Sequence, residues 1–238
     1  MLEITYPRQH AEYELSHALL FYEGHGESMA TLHKVRDRQL LAGKSISVQD
    51  VEELFHSENQ QQKMVFIPPE LIAWSRNEVV WFEKSSVRPI YFNAPEPERQ
   101  FLNKLSGKNV IWPNLVFKIS RNTISCWSVK SRARPNQETK LYNAPFTNIF
   151  TDHHFCPPNE FHEIREENMI DFARKAVDIF FRGRFSHLYS NMLKSISYSR
   201  GRDRFWVKMV KDLERGKCKS FPNQYLVSSN MKLGDILS

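Results

Sequence analysis

The apolar pattern of this chain changes period once, and that change constrains its fold more than any other feature. From Val65 to Val129 hydrophobic residues come in short runs rich in aromatic and β-branched types. Beyond residue 160 they recur at three- and four-residue steps. VVWFE (79–83) and RPIYF (88–92) flank the short connection Lys84–Val87, and LVFKIS (115–120) and TISCWSV (123–129) flank Arg121-Asn122. These pairs read as successive antiparallel hairpins, a meander of about four strands, with LYNAPF (141–146) as a weaker fifth extended piece. Phe161, Ile164, Phe172, Ala176, Ile179 and Phe180 then lie at helical spacing up to Gly183. A shorter helix is expected around Leu188, Met192 and Leu193. A third carries Phe205, Trp206, Met209, Val210 and Leu213 and closes at Gly216. Strands first and helices second predict an α+β fold with helices on one face of an antiparallel sheet. The absence of βαβ alternation disfavours a doubly wound nucleotide-binding fold.

Upstream, HALLFYE (17–23) and MATLHKV (29–35) surround Glu23-Gly24-His25-Gly26 and predict a β-hairpin. ISVQDVEELFH sets Val48, Val51, Leu54 and Phe55 at helical spacing, with Ser47 as the cap. The polar stretch Ser57–Lys63 is the best linker candidate, with a loop inside one fold as the equal alternative. Residues 1–60 are therefore expected to form a hairpin-plus-helix extension, and residues 61–238 the main domain.

Composition excludes several classes. No apolar run of about 18 residues is present, and mean hydropathy is −0.52, so no membrane-spanning helix is expected. The opening MLEITYPRQHAEYELSH lacks a basic start followed by an apolar run, so no secretory signal is expected. Cys126, Cys156 and Cys218 are too few and too far apart for a disulfide framework, and a reducing cytoplasm is the expected compartment. With eight glycines the chain contains no GxxxxGK[ST], GxGxxG or GxSxG, and no CxxC pair. Nucleotide hydrolysis and hydride transfer are disfavoured, and no cofactor is expected. The net charge of +6 is uneven: from Arg182 to Lys219 eleven Lys/Arg stand against three Asp/Glu, giving +8. Such a segment is either a solvated helix face or a surface for nucleic acid or an acidic protein.

Chemistry concentrates in TKLYNAPFTNIFTDHHFCPPNEFHEI (139–164), where a strand gives way to a long loop. Pro157-Pro158 hold the backbone after Cys156 extended, which favours an accessible thiol; the alternative is a small buried apolar residue. Cys126 lies within the apolar run ISCWSV and reads as core. Cys218, in RGKCKS, reads as a surface thiol. His153, His154, Cys156 and His162 are zinc-ligand types, but their spacing fits no closed-site template, and no metal is expected.

The run LYNAPFTNIFTDHHFC resembles the core signature of the PRTRC system B proteins, a bacterial family of the prokaryotic ubiquitin-conjugating-enzyme-like superfamily, family D. The resemblance is carried by Leu141-Tyr142, Ala144-Pro145-Phe146, Asn148-Ile149 and Cys156. Upstream it rests on Arg88-Pro89-Ile90-Tyr91-Phe92, Pro113-Asn114-Leu115-Val116-Phe117, Arg134-Pro135 and the early MATLHKV. It implies a conjugating-enzyme-like antiparallel β-meander followed by helices, with residues 1–60 as an addition. In that superfamily the catalytic cysteine lies eight residues beyond the Asn of a His-Pro-Asn motif, and Asn148 and Cys156 keep that spacing. Phe146 and Thr147 replace the His and Pro, and Pro157-Pro158 replace a common Leu-Asp.

The resemblance implies that Cys156 carries a ubiquitin-like modifier as a thioester and passes it to an amine. Asn148 would then stabilise the oxyanion or hold the loop, and Asp152, His153 or His154 would orient or deprotonate the amine. Removing one oxyanion donor elsewhere typically costs ~10²–10³ in rate. The implied partners are a ThiF-like activating enzyme, the modifier, and a JAB-type peptidase of the same cassette. The alternatives are a catalytically silent scaffold of the same fold, or nucleic-acid binding through residues 182–219.

Overall fold

A computed structural model describes residues 14–24, 27–47, 66–166, 168–186 and 193–237. The chain divides into two compact units, residues 1–66 and 67–238. In the first, the predicted hairpin forms from β1 (His17–Gly24) and β2 (Glu27–Arg36), with Leu19 opposite Leu32 and Phe21 opposite Ala30. β3 (Gln39–Leu40) folds back on β2 through Asp37 and Arg38, both at positive φ, as a tight two-residue hairpin requires. β4 (Lys44–Ile46) pairs with β2 at Ala30–Leu32. The helix expected over 48–55 and the linker candidate lie outside the described residues, as does most of the short helix expected around Leu188 and Met192.

The second unit is built on a six-stranded antiparallel sheet. Its strands are β5 (Leu71–Trp74), β6 (Glu78–Glu83), β9 (Asn114–Ser120), β10 (Ile124–Val129), β11 (Lys140–Asn143) and β13 (Ser228–Lys232), in the order β13-β11-β10-β9-β6-β5. Alternate residues feed two cores, as strand geometry dictates. Val79, Trp81, Phe117, Ile119, Ile124 and Cys126 join the helix-covered core. Val80, Phe82, Val116, Trp127 and Val129 meet Leu233 and Ile236 of the C-terminal 3-10 turn. Burial on both faces explains why β6, β9 and β10 read as continuous apolar runs rather than alternating ones.

One pairing differs from the sequence reading. RPIYF does not form a hairpin with VVWFE, nor does it lie in the main sheet. β6 pairs with β9, placing Trp81 opposite Phe117 and Phe82 opposite Val116. The chain between them leaves the sheet as a separate hairpin of β7 (Val87–Phe92) and β8 (Lys108–Ile111), joined by a parallel β12 (Arg184–Phe185). Two features enforce the excursion. The Ser85 amide and hydroxyl are held by Asn114 Oδ1 at 2.9 Å and the Trp112 carbonyl at 2.7 Å. Pro89, which has no N–H, sits where β7 has a neighbour on one side only.

The helical half also differs at its start. Phe161 belongs to a 3-10 turn (Asn159–Phe161), and α1 (Met169–Arg182) begins only at Asn168, whose side chain accepts the Ile170 N–H at 2.7 Å. Phe161 still packs on Phe172, with ring centroids 5.7 Å apart. At Gly183 the helix stops in extended backbone; a Cβ there would lie 3.2 Å from the Phe180 carbonyl oxygen. α2 (Gly201–Glu214) buries Phe205, Trp206, Met209 and Val210, and Gly216, at φ +67, ends it as expected. The fold is α+β.

Candidate active site

Beyond Asn143 the chain is held by the start of α2. Trp206 Nε1 donates to the Pro145 carbonyl at 3.1 Å, and an Arg202 guanidinium nitrogen donates to the Phe146 carbonyl at 3.3 Å. Burial lowers the pKa of Arg202, as does the nearby charge of Arg99, with Asp203 acting the other way. Phe146 is fully buried, stacked on Phe185 and Trp206 at centroid distances of 4.9 and 5.5 Å. Part of the basic C-terminal segment therefore serves this loop rather than the surface. All three of its acidic residues are paired as well: Asp203 with Arg99, Asp212 with Lys208, and Glu214 with Lys108.

Asn148 adopts the left-handed conformation at φ +64, which Asn tolerates better than most residues. It opens a short hairpin. The Cys156 N–H donates to the Asn148 carbonyl at 2.8 Å, Ile149 pairs with Phe155, and the Phe150 N–H donates to the His154 carbonyl at 2.9 Å. The returning arm takes the place of β11 beside the start of β10. Cys126 N–H donates to the His153 carbonyl and Phe155 N–H to the Ile124 carbonyl. The eight-residue separation of Asn148 and Cys156 is thus one rung of this hairpin.

The Asn148 side chain faces the other way along the fold. Its Oδ1 accepts the Ser186 N–H at 3.1 Å, and its Nδ2 donates to the Arg184 carbonyl at 3.3 Å, so the amide clamps β12 against the loop. The Ser186 carbonyl accepts in turn from buried Arg99, which is paired with Asp203 at 2.7 Å and Glu96 at 3.0 Å.

Cys156 is exposed and opens onto a cavity of about 380 Å³. Asn148, Pro157, Pro158, Glu160, Arg182, Gly183, Arg184 and Ser186 line it, with Phe155 and Ile179 as its apolar wall. The other thiols differ. Cys126 is fully buried in β10, and burial drives its pKa well up. Cys218 is partly buried and donates to the Ser220 carbonyl at 2.9 Å.

The remaining predicted site residues separate. His153 is buried, stacked on Trp127 at 5.1 Å with Nε2 3.1 Å from Asn143 Oδ1, and burial lowers its pKa. It faces the core opposite the helices and does not line the cavity. Asp152 and His154 form an exposed pair at the hairpin tip, with Oδ2 to Nδ1 at 3.0 Å. Burial opposes ionisation of Asp152, but hydrogen bonds from the His154 amide and ring outweigh it and lower the pKa. Neither lines the cavity, although the exposed–buried–exposed alternation over residues 154–156 turns His154 to the same side as Cys156. Among the described residues, no three His, Cys, Asp or Glu side chains converge as a metal cluster. Arg182, Arg184, Glu160 and Ser186 were not anticipated at the site. The two arginines were visible only as part of the basic segment.

The family model for Prokaryotic E2 family D matches residues 48–229. The chain belongs to that family. No curated protein and no solved structure matches it. The match is consistent with the PRTRC system B resemblance, and the α+β architecture is consistent with a conjugating-enzyme-like fold. As an E2 family D member, this chain fills the positions preceding its Asn with buried Phe146 and Thr147. No helix among the described residues is long and apolar enough to cross a membrane.

Proposed function

We propose that this E2 family D protein carries a ubiquitin-like modifier as a thioester on Cys156 and transfers it to an amine. The observation that supports the reading is the placement of Cys156: it is an exposed thiol on a cavity, one hairpin rung from Asn148. A ThiF-like enzyme would adenylate the modifier and load it. A thiol needs little activation for this step, since free cysteine is already a few per cent thiolate at pH 7. The amine then attacks the acyl carbon, and the base in this reading is His154, which is exposed on the same side of its strand as Cys156 and hydrogen-bonded to Asp152. Asn148 acts by fixing the loop and β12. The test is incubation with the cognate activating enzyme, ATP and the modifier, read on a non-reducing gel; a reductant-sensitive adduct that requires Cys156 is expected.

A second reading is a silent scaffold that binds the activating enzyme or modifier without passing a thioester. Buried Phe146 and Thr147 in place of His-Pro favour it. No adduct in the presence of a demonstrably active activating enzyme would select it. Nucleic-acid binding by the exposed cations that follow Arg202 would instead appear as affinity falling steeply with salt.

A further inference from the structure

The tetrahedral intermediates of thioester transfer place negative charge on an oxygen beside Cys156, and that charge needs a preorganised partner. The Asn148 amide oxygen accepts from Ser186 and one of its two Nδ2 N–H donors goes to the Arg184 carbonyl, so the amide is oriented by β12 and the residue that follows it. The cavity offers another candidate. Of its charged lining residues, two are arginines and one is a carboxylate, Glu160. Arg182 pairs with Asp178 at 2.5 Å, but both side chains are largely exposed, and such pairs are weak in water. Arg184 enters no ion pair among the described residues. Its backbone is nevertheless fixed: its carbonyl accepts from Asn148, it pairs with Tyr91 of β7, and it follows Gly183, where the chain passes close to the Phe180 carbonyl. The strand thus fixes the Cα of an exposed arginine at the edge of the nucleophile's cavity and leaves its guanidinium uncommitted to any other partner among the described residues. A guanidinium is always protonated and presents a fork of N–H donors.

We propose that Arg184, with Arg182 beside it, forms an anion-binding subsite of the Cys156 cavity and stabilises the oxyanion of thioester transfer. This role rests on the thioester reading above. In the transfer step the amine nitrogen bonds to the acyl carbon, and the carbonyl π pair moves to oxygen, where Arg184 meets it. The amine proton passes to a base, the C–O double bond re-forms, the C–S bond breaks, and the Cys156 thiolate leaves with its electron pair.

The first arm of the test needs no modifier. In the full chain carrying Cys218→Ser, Cys156 is reacted with anionic sulfonatoethyl and cationic trimethylammonioethyl methanethiosulfonate, with N-acetylcysteinamide as the neutral reference thiol. The anionic-to-cationic rate ratio should exceed the reference and fall roughly threefold in Arg184→Gln, the order of Coulomb effect expected when one charge of the same cavity is removed. The difference should shrink as salt is raised. An unchanged ratio overturns the subsite. The second arm follows discharge of the pre-loaded thioester. Arg184→Gln should slow it at least about tenfold. Arg184→Lys should retain part of the rate, and added guanidinium should restore part of it to Arg184→Ala. Wild-type discharge in Arg184→Gln overturns the oxyanion role. A shifted probe ratio in a protein that never accepts a modifier leaves the anion site standing, but overturns both the oxyanion role and the thioester reading.

Discussion

The amide of Cys156 and the carbonyl of Asn148 meet at 2.8 Å, so a separation of eight residues in sequence closes as a single hairpin rung. The Asn148 side chain turns away from that rung to Arg184 and Ser186 and ties the loop to β12. The same residue thus fixes the position of Cys156 through its backbone and the cavity wall through its amide.

Asn148→Ala should slow discharge of a pre-loaded thioester more than it slows loading. It should also lower stability by about 1–3 kcal/mol, because the Arg184 carbonyl of β12 and the Ser186 N–H just after it lose a partner and Ala tolerates positive φ poorly. Asn148→Gly relieves the backbone but not the lost bonds and should recover only part of the stability. Urea unfolding and single-turnover discharge measure the two effects; wild-type discharge in Asn148→Ala removes this residue from the mechanism.

Of the three cysteines, Cys156 alone should accept the modifier. Wild type should give a reductant-sensitive band, and Cys156→Ser a weaker, reductant-resistant oxyester. Cys218→Ser should behave as wild type. Cys126→Ser should load normally but lose about 1–3 kcal/mol of stability, because its hydroxyl enters a fully buried position. A reductant-sensitive band that survives Cys156→Ser would identify another acceptor.

Restoring the missing histidine should not restore a conjugating-enzyme motif. Phe146→His places a polar ring among Trp112, Phe185 and Trp206 and should cost about 2–4 kcal/mol. The melting temperature should fall while thioester yield does not rise; a gain in discharge rate would contradict this account.

Acid should destabilise the fold through His153. Its pKa is lowered in the folded state by burial, partly offset by the charge of Asp152. The unfolded chain therefore takes up a proton first. Stability is complete above about pH 6.5, the ordinary histidine value, and is lost as pH falls from there through the lowered folded pKa. His153→Gln should be less stable at pH 8 but show a shallower fall between pH 7 and 5. Equal slopes by thermal melting would exclude His153 as the cause. Asp152, whose pKa is also lowered, acts only in the more acidic carboxylate range.

Local pattern settled much of this protein. The period change set an α+β fold, Gly216 ended α2, and continuous apolar runs marked the strands that are buried on both faces. The Cys126 run already read as core, and Asn148 and Cys156 stood at a spacing that their hairpin explains. Pairing partners were another matter. The connection Lys84–Val87 is short enough for a hairpin, yet β7 leaves the sheet because Ser85 is bound by Trp112 and Asn114, residues distant in sequence. Adjacent His153 and His154 are equivalent in sequence; only the positive φ of His153 and the ring of Trp127 send one into the core and leave the other outside. Arg182 and Arg184 looked like part of a basic segment until α1 ended and β12 brought them beside Cys156. Periodicity records which side of an element is apolar, and so it is written locally. Which charge faces which thiol depends on long-range pairing, and that was decided only when the chain folded.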